Sequence, residues 1–172
     1  MGNTLEEVGL KKLNLGCGRR ILDGYENIDF PDNHSGLKPD TECDIRKLPH
    51  DDESVDEVMA IHVIEHFYRW EVEDVLKEWK RVLKPGGKLV LELPDLNKIM
   101  TAFLEAPNID VTKTFWGLYG DPGHKDERMC HRWAYTAGML VGILRQIGFK
   151  DSHVLAPEFK RPDRDMRLEV IK

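Results

Sequence analysis

The sequence predicts an α/β fold: a Rossmann-like, mostly parallel sheet with helices on both faces and an antiparallel hairpin at its C-terminal end. Three observations predict it. A short apolar run, Lys12 to Leu15, stops at the glycine pair Gly16 and Gly18, as a buried strand stops at a tight turn. Soon after, Asn27-Ile28-Asp29-Phe30 is a second apolar run that carries an acid. Strand, glycine-rich turn, strand ending in an acid is how an open α/β sheet holds a nucleoside. Further on, strand-like and helix-like stretches alternate, the pattern of a parallel sheet.

The chain of 172 residues has room for one domain with a real core, so residues 1–172 are read as a single domain. Apolar residues make up 41% and charged residues 33%, as in ordinary globular chains. The net charge of −6 argues against a dedicated nucleic-acid binder, which usually shows a basic face. Lys160, Arg161, Arg164 and Arg167 cluster locally, but Asp163 and Asp165 alternate with them, as in a solvated tail. The three cysteines, Cys17, Cys43 and Cys130, form no C-x-x-C pair, which fits a reducing compartment and gives no zinc ribbon. No apolar run approaches the roughly 20 residues that span a bilayer. Residues 1–10 carry acids and lack a signal-peptide core. A cytoplasmic protein without a membrane span is the expectation.

The elements follow in order. Residues 1–10 read as a short leader or frayed helix and 12–15 as the first strand. Residues 19–25 are too short and broken by Asp23-Gly24 to make a full crossover helix, which usually needs a dozen residues or more. The first crossover is therefore a loop or a single turn. Strands are predicted at 27–30, 42–45 and 55–61. Helical spacing of Phe67, Trp70, Val72, Val75, Leu76, Trp79, Val82 and Leu83 predicts a helix over 65–83. Lys84-Pro85-Gly86-Gly87 stops it, and 88–93 is the fifth strand. A helix over 97–104 follows. Residues 105–132 hold Pro107, Gly117, Gly120, Pro122 and Gly123 among aromatics and read as an irregular insertion on the substrate side, since long irregular segments in compact domains are often functional. A helix over 136–147 and strands at 150–156 and 166–171 complete the chain.

Taken in order, these features resemble the class I S-adenosylmethionine-dependent methyltransferases over most of the chain. Two stretches carry the resemblance: Leu13 to Gly18, and Arg81-Val82-Leu83-Lys84-Pro85-Gly86-Gly87-Lys88-Leu89 before the fifth strand. It implies that Asn14, Leu15, Gly16, Cys17 and Gly18 curl under the methionine half of the cofactor. Asp29, with Phe30 beside it, would take the ribose hydroxyls, with a strand-end turn residue as the alternative for Asp29. Asp44 and Ile45 would flank adenine, with a plain loop acid as the alternative for Asp44. Ile61 and His62, leaving the fourth strand, would face the sulfonium and the acceptor. The implied cofactor is S-adenosylmethionine, with S-adenosylhomocysteine as product. Methyl transfer by in-line attack needs alignment more than covalent help.

A hydroxyl acceptor gains from a base near neutrality, and histidine is the natural choice. His62 and His131 are the candidates for catalysis. His66, one turn beyond His62, reads as a residue packing at a helix start. His131-Arg132-Trp133-Ala134-Tyr135 is a plausible acceptor corner, with a surface turn as the alternative. The acceptor is expected to be a small molecule or a glycan sugar, methylated at oxygen.

Three departures stand out. The family usually begins the glycine motif with an acid, here Asn14. A small residue is usual where Arg20 stands, and the first crossover is short. A cofactor-binding protein without catalysis is therefore the second reading. His62-Val63-Ile64-Glu65-His66 also fits H-x-x-E-H, a zinc-protease pattern. That pattern belongs within a helix, whereas Val55 to Ile61 runs into His62 as a strand, and no metal is assigned.

Overall fold

The computed structural model describes residues 9–33, 35–105 and 111–172, with residues 111–114 described by their backbone alone. Most of the expected leader, residues 1–8, and residues 106–110 of the expected insertion lie outside the described residues.

Seven strands form one sheet in the order β3-β2-β1-β4-β5-β7-β6. β1 (Lys12–Leu15), β2 (Glu26–Asp29), β3 (Thr41–Glu42), β4 (Val55–Ile61) and β5 (Leu83–Pro94) run parallel. β6 (Lys150–Leu155) and β7 (Asp165–Ile171) form the expected hairpin, with β7 antiparallel to both β5 and β6. The chain reverses direction across the sheet between β1, which pairs with β2 on one side, and β4 on the other. Ligands in open α/β sheets bind at such a switch point, beyond the carboxyl ends of the strands.

Side chains alternate across the strands. Leu13, Leu15, Ile28, Val58, Ala60, Leu89, Leu91, Leu93, Met166, Leu168 and Val170 all belong to the main core. α1 (Val72–Val82) adds Val72, Val75, Leu76, Trp79 and Val82 to it, and α4 (Ala137–Gln146) adds Leu140, Ile143 and Leu144. Both helices thus lie on one face. The opposite face has a small apolar cluster of Met59, Ile61 and Val90, covered by Leu22, Tyr25 and Phe159 from the connecting segments. Around it the strands present buried polar residues, including Asn14, Asn27, Glu57, Glu92 and Arg167. The short step from β1 to β2 explains the polarity: no crossover helix lies between these strands, so this face buries hydrogen-bonded groups where a helix would bury apolar ones.

Several boundaries differ from expectation. The helix expected over 65–83 begins only at Val72; before it, Ile64–His66 is a 3-10 turn. The Lys84-Pro85-Gly86-Gly87 stop signal falls inside β5 rather than before it, because Leu83 already pairs with Val55 before a register shift. β3 is Thr41–Glu42 instead of 42–45. α2 (Leu96–Glu105) matches expectation closely. The segment 105–132 is more regular than predicted: it contains α3 (Val111–Tyr119) and two 3-10 turns, Pro122–His124 and Glu127–Met129.

Candidate active site

β1 delivers the glycine loop to the switch point. Gly16 and Gly18 have φ of +62° and +50°, left-handed angles that side chains disfavour. Gly16 has a second constraint: a Cβ there would lie 2.7 Å from Val63 Cγ2. The loop therefore approaches the segment after β4 as closely as bare backbone allows. Leu15 and Cys17 are buried on either side of Gly16. Burial, with Asp29 nearby, pushes the Cys17 thiol up to about 11, so Cys17 stays protonated.

Asp29 ends β2 beneath this loop. Its Oδ2 accepts from the Gly18 backbone N–H at 2.7 Å and its Oδ1 from the Phe30 N–H at 2.8 Å. A carboxylate has about four acceptor sites, so Asp29 can brace the loop and still accept from a diol. The loop thus sets bare backbone beside a carboxylate that keeps acceptor capacity.

Asn14 is 1% exposed, and its side chain is committed to the loop's own hydrogen bonds. Its Nδ2 donates to the Arg20 carbonyl at 2.7 Å and to Asn27 Oδ1 at 2.9 Å. Asn27 passes the network on, donating from its own Nδ2 to Asp40 Oδ2. The amide orientations are those the network requires. This network ties the short β1–β2 connection to both strands. Arg20 lies with its guanidinium 5.0 Å from the centre of the Phe159 ring.

Asp44 and Ile45 are less open than the resemblance implies. The Arg46 Nε–H is shared between both Asp44 oxygens, its Nη2 donates to Oδ2, and the Arg46 backbone N–H donates to Oδ1. The Arg46 pairing holds the Asp44 carboxyl below its usual range. Ile45 is 6% exposed and belongs to the main core, while its carbonyl accepts from Trp79 Nε1 at 2.9 Å.

β4 ends in Ile61, buried in the small cluster of the opposite face, and His62 follows with φ of +56°. A non-glycine residue at such an angle is uncommon. The conformation is held by a backbone bond, His62 N–H to the Glu92 carbonyl at 2.7 Å, and by two buried carboxylates. His62 Nε2 lies 3.0 Å from Asp165 Oδ2, and Nδ1 lies 3.1 Å from Glu65 Oε1. Burial would lower the His62 pKa, but Asp165 and Glu65 outweigh it and hold the ring at about 9. His62 is thus an imidazolium near neutral pH, with a carboxylate oxygen beside each ring nitrogen.

Asp165 is a hub that sequence reasoning placed in a solvated tail. It is fully buried, and it also accepts from Arg164 Nε at 2.6 Å and from the Arg161 backbone N–H at 3.2 Å. Burial would raise its carboxyl, but His62 and Arg164 hold it at about 2. Its register position, opposite Pro94 at the start of β7, brings it to the end of β4 from far along the chain. No local pattern signals that.

His131 reaches the same place by another route. The Arg132 N–H donates to the Glu65 carbonyl at 2.7 Å, docking the segment after the Glu127–Met129 turn against Glu65. His131 Nδ1 lies 3.0 Å from the Gly117 carbonyl, and Nε2 lies 4.0 Å from Glu65 Oε1. Burial lowers the His131 pKa, so the ring is neutral. Of the two histidines expected to be catalytic, His131 therefore keeps a lone pair and His62 does not. Tyr135 is fully buried, its hydroxyl without a partner among the described residues. Arg132 lies with its guanidinium 4.3 Å from the centre of the Tyr68 ring.

The H-x-x-E-H stretch does not lie on a helix. It runs from a strand end through a left-handed residue into a 3-10 turn, and His62 turns to Asp165. The paired-histidine geometry of a zinc protease is not formed.

This topology and this loop define a Rossmann-like methyltransferase fold. Residues 25–91 match the family model described as a methyltransferase domain. The whole described fold is similar to solved S-adenosylmethionine-dependent methyltransferases. One from Thermotoga maritima shares 16% identity with a TM-score of 0.63, covering 94% of this chain and 82% of that one. One from Archaeoglobus fulgidus has 16% identity and a TM-score of 0.63 over 95% of this chain and 87% of its own. One from Mesorhizobium loti has 18% identity and a TM-score of 0.63 over 95% and 91%. No curated protein sequence matches the chain significantly. Among the described residues, no helix is long and apolar enough to cross a membrane.

Proposed function

We propose that the chain transfers a methyl group from S-adenosylmethionine to an oxygen of a small-molecule or sugar acceptor. The observation that carries this is the left-handed Gly16–Gly18 loop braced by Asp29 at the sheet's switch point. Asn14, Leu15, Gly16, Cys17 and Gly18 form the floor under the cofactor, and Asp29 with Phe30 takes the ribose. Ile61 and His62 border the reacting end. Asp44 keeps its pairing with Arg46 and lies at the adenine rim; Ile45 supports that rim from the core.

The cofactor supplies an activated methyl on a positively charged sulfur. The chain's own residues then have three tasks: to align the acceptor oxygen with that methyl, to exclude water, and to take up or disperse the acceptor proton. Bound there, the cofactor would supply its methyl carbon to that oxygen and keep the carbon–sulfur bonding pair on sulfur. The acceptor's proton leaves by way of His131 or solvent. His62, charged and set between two buried carboxylates, holds the ends of β4 and β7 together and acts as a positioning residue.

A second reading, cofactor binding without catalysis, draws on the commitment of Asn14 to the loop network. One assay separates the two. The chain is incubated with S-adenosylmethionine and a panel of hydroxylated small molecules and sugars, and release of S-adenosylhomocysteine is measured. Acceptor-dependent release supports transfer. Binding without release for any acceptor supports the second reading.

A further inference from the structure

Glu65 is out of place for an ordinary core residue. It is 2% exposed, and neither carboxylate oxygen receives a hydrogen bond from the described residues. His62 Nδ1 lies 3.1 Å from Oε1 as an ion pair that falls short of hydrogen-bond geometry. Leaving a buried acceptor without donors is costly, more so for a charged one. The carboxylate is therefore poised for a further positive partner.

Two imidazoles face it. His66 Nδ1 lies 3.2 Å from the Cys130 carbonyl, and His131 Nδ1 lies 3.0 Å from the Gly117 carbonyl. A carbonyl oxygen only accepts, so both rings carry their proton on Nδ1 and present the Nε2 lone pair. The two rings meet edge to face with centres 4.8 Å apart. One ligand atom from each of Glu65, His66 and His131 lies within 4.8 Å of the others.

This is the arrangement that ligating histidines adopt: one nitrogen for the metal, the other held by a backbone carbonyl that fixes tautomer and orientation. Two imidazoles and one carboxylate suit borderline transition cations, and three protein ligands leave positions open for an exogenous oxygen. Metal–ligand bonds of about 2.0–2.2 Å require the three atoms to draw together slightly, by rotation of the side chains.

We propose that Glu65, His66 and His131 bind one divalent transition-metal ion of the zinc type. His62 is excluded from the set, because its Nε2 is bound to Asp165 and the ring is held as an imidazolium between that carboxylate and Glu65. The ion lies beside the end of β4. Resting on the methyltransferase reading, its open positions hold the hydroxyl oxygen of the acceptor and favour loss of that proton. His131 then serves as ligand, and the proton goes to solvent.

The test titrates the full chain, stripped with a chelator, with zinc chloride by calorimetry, and with cobalt(II) by visible absorption. The expected result is one ion per chain and cobalt d–d bands. His66→Ala, at a half-exposed position and checked for folding by circular dichroism, weakens binding at least 10-fold; Glu65→Gln and His131→Ala do the same. His62→Asn retains stoichiometric binding, and so does His153→Ala on β6. Absence of stoichiometric binding overturns the proposal. So does binding that survives His66→Ala in folded protein, or that is lost in folded His153→Ala. Zinc binding without S-adenosylmethionine binding overturns the methyltransferase reading and leaves the metal site standing. Cofactor binding without zinc binding does the reverse.

Discussion

His62 Nε2 lies 3.0 Å from Asp165 Oδ2, joining the end of β4 to the first residue of β7 across 103 positions of sequence. The pair is buried, and the chain adopts a left-handed angle at His62 to make it. Removing one partner of a buried ion pair leaves a charge uncompensated, at a cost of about 3–5 kcal/mol. Asp165→Ala is expected to destabilise the chain by that amount in denaturant unfolding; a change below about 1 kcal/mol would show that the pair adds little.

The same pair sets a pH dependence in metal-free protein. His62 binds its proton more tightly folded, at about 9, than at its ordinary 6.5. The stability this adds is full below about 6.5 and is lost as pH rises through about 9. Asp165 shifts the other way, from 3.8 to about 2, so its contribution is present above about 3.8 and is lost as pH falls through about 2. Thermal unfolding of chelator-treated protein across this range is expected to show both limbs. His62→Asn flattens the alkaline limb. An alkaline limb identical in that variant would contradict the assignment.

Asn14 stands where the resemblance leads one to expect an acid, and its donors explain why. Both groups it meets, the Arg20 carbonyl and Asn27 Oδ1, are acceptors. Asn14→Asp replaces two hydrogen bonds by oxygen facing oxygen and buries a charge. The variant is expected to lose about 2–3 kcal/mol or more of stability, because unsatisfied buried groups cost about 1–3 kcal/mol each. Equal stability at pH 7 would mean that the β1–β2 connection can rearrange freely.

Gly16 and Gly18 share a left-handed backbone but differ in surroundings. An added Cβ meets Val63 Cγ2 at 2.7 Å at Gly16, and nothing within 4 Å at Gly18. Both alanine variants carry the backbone penalty of about 1–3 kcal/mol for a left-handed non-glycine residue. Gly16→Ala adds a clash with a stiff β-branched side chain, so it is expected to unfold at lower denaturant than Gly18→Ala. The reverse order would contradict the close approach of the loop to Val63.

Much of the fold is legible in the sequence because strand runs and their alternation are local. Lys12–Leu15 and Val55–Ile61 are read to the residue, and the hairpin follows from the lack of a helical pattern between its strands. The misses have physical causes. Phe67 and Trp70 continue the helical spacing of α1, yet the chain there is committed to a 3-10 turn and to docking of Arg132 on the Glu65 carbonyl. Gly117 looks like a loop residue but sits within α3, where a Cβ would lie 2.6 Å from Ile99 Cδ1. The glycine loop and Asp29 were visible as a local pattern. The roles of Asp165 and Glu65 were not, since each depends on partners that only the folded sheet and the segment after α3 bring near. The motif His62-Val63-Ile64-Glu65-His66 was the available signal for Glu65, and its conflict with a helix hid it.

The central claim is that the Gly16–Gly18 loop and Asp29 bind a nucleoside sulfonium. Calorimetric titration with S-adenosylmethionine and S-adenosylhomocysteine tests it most directly, on the wild-type chain and on Asp29→Ala. One molecule of either ligand is expected to bind per wild-type chain, and Asp29→Ala, still folded, is expected to bind at least about 10-fold more weakly, the loss of one to two hydrogen bonds to a charged acceptor. Failure of both ligands to bind the wild-type chain at millimolar concentration would contradict the claim.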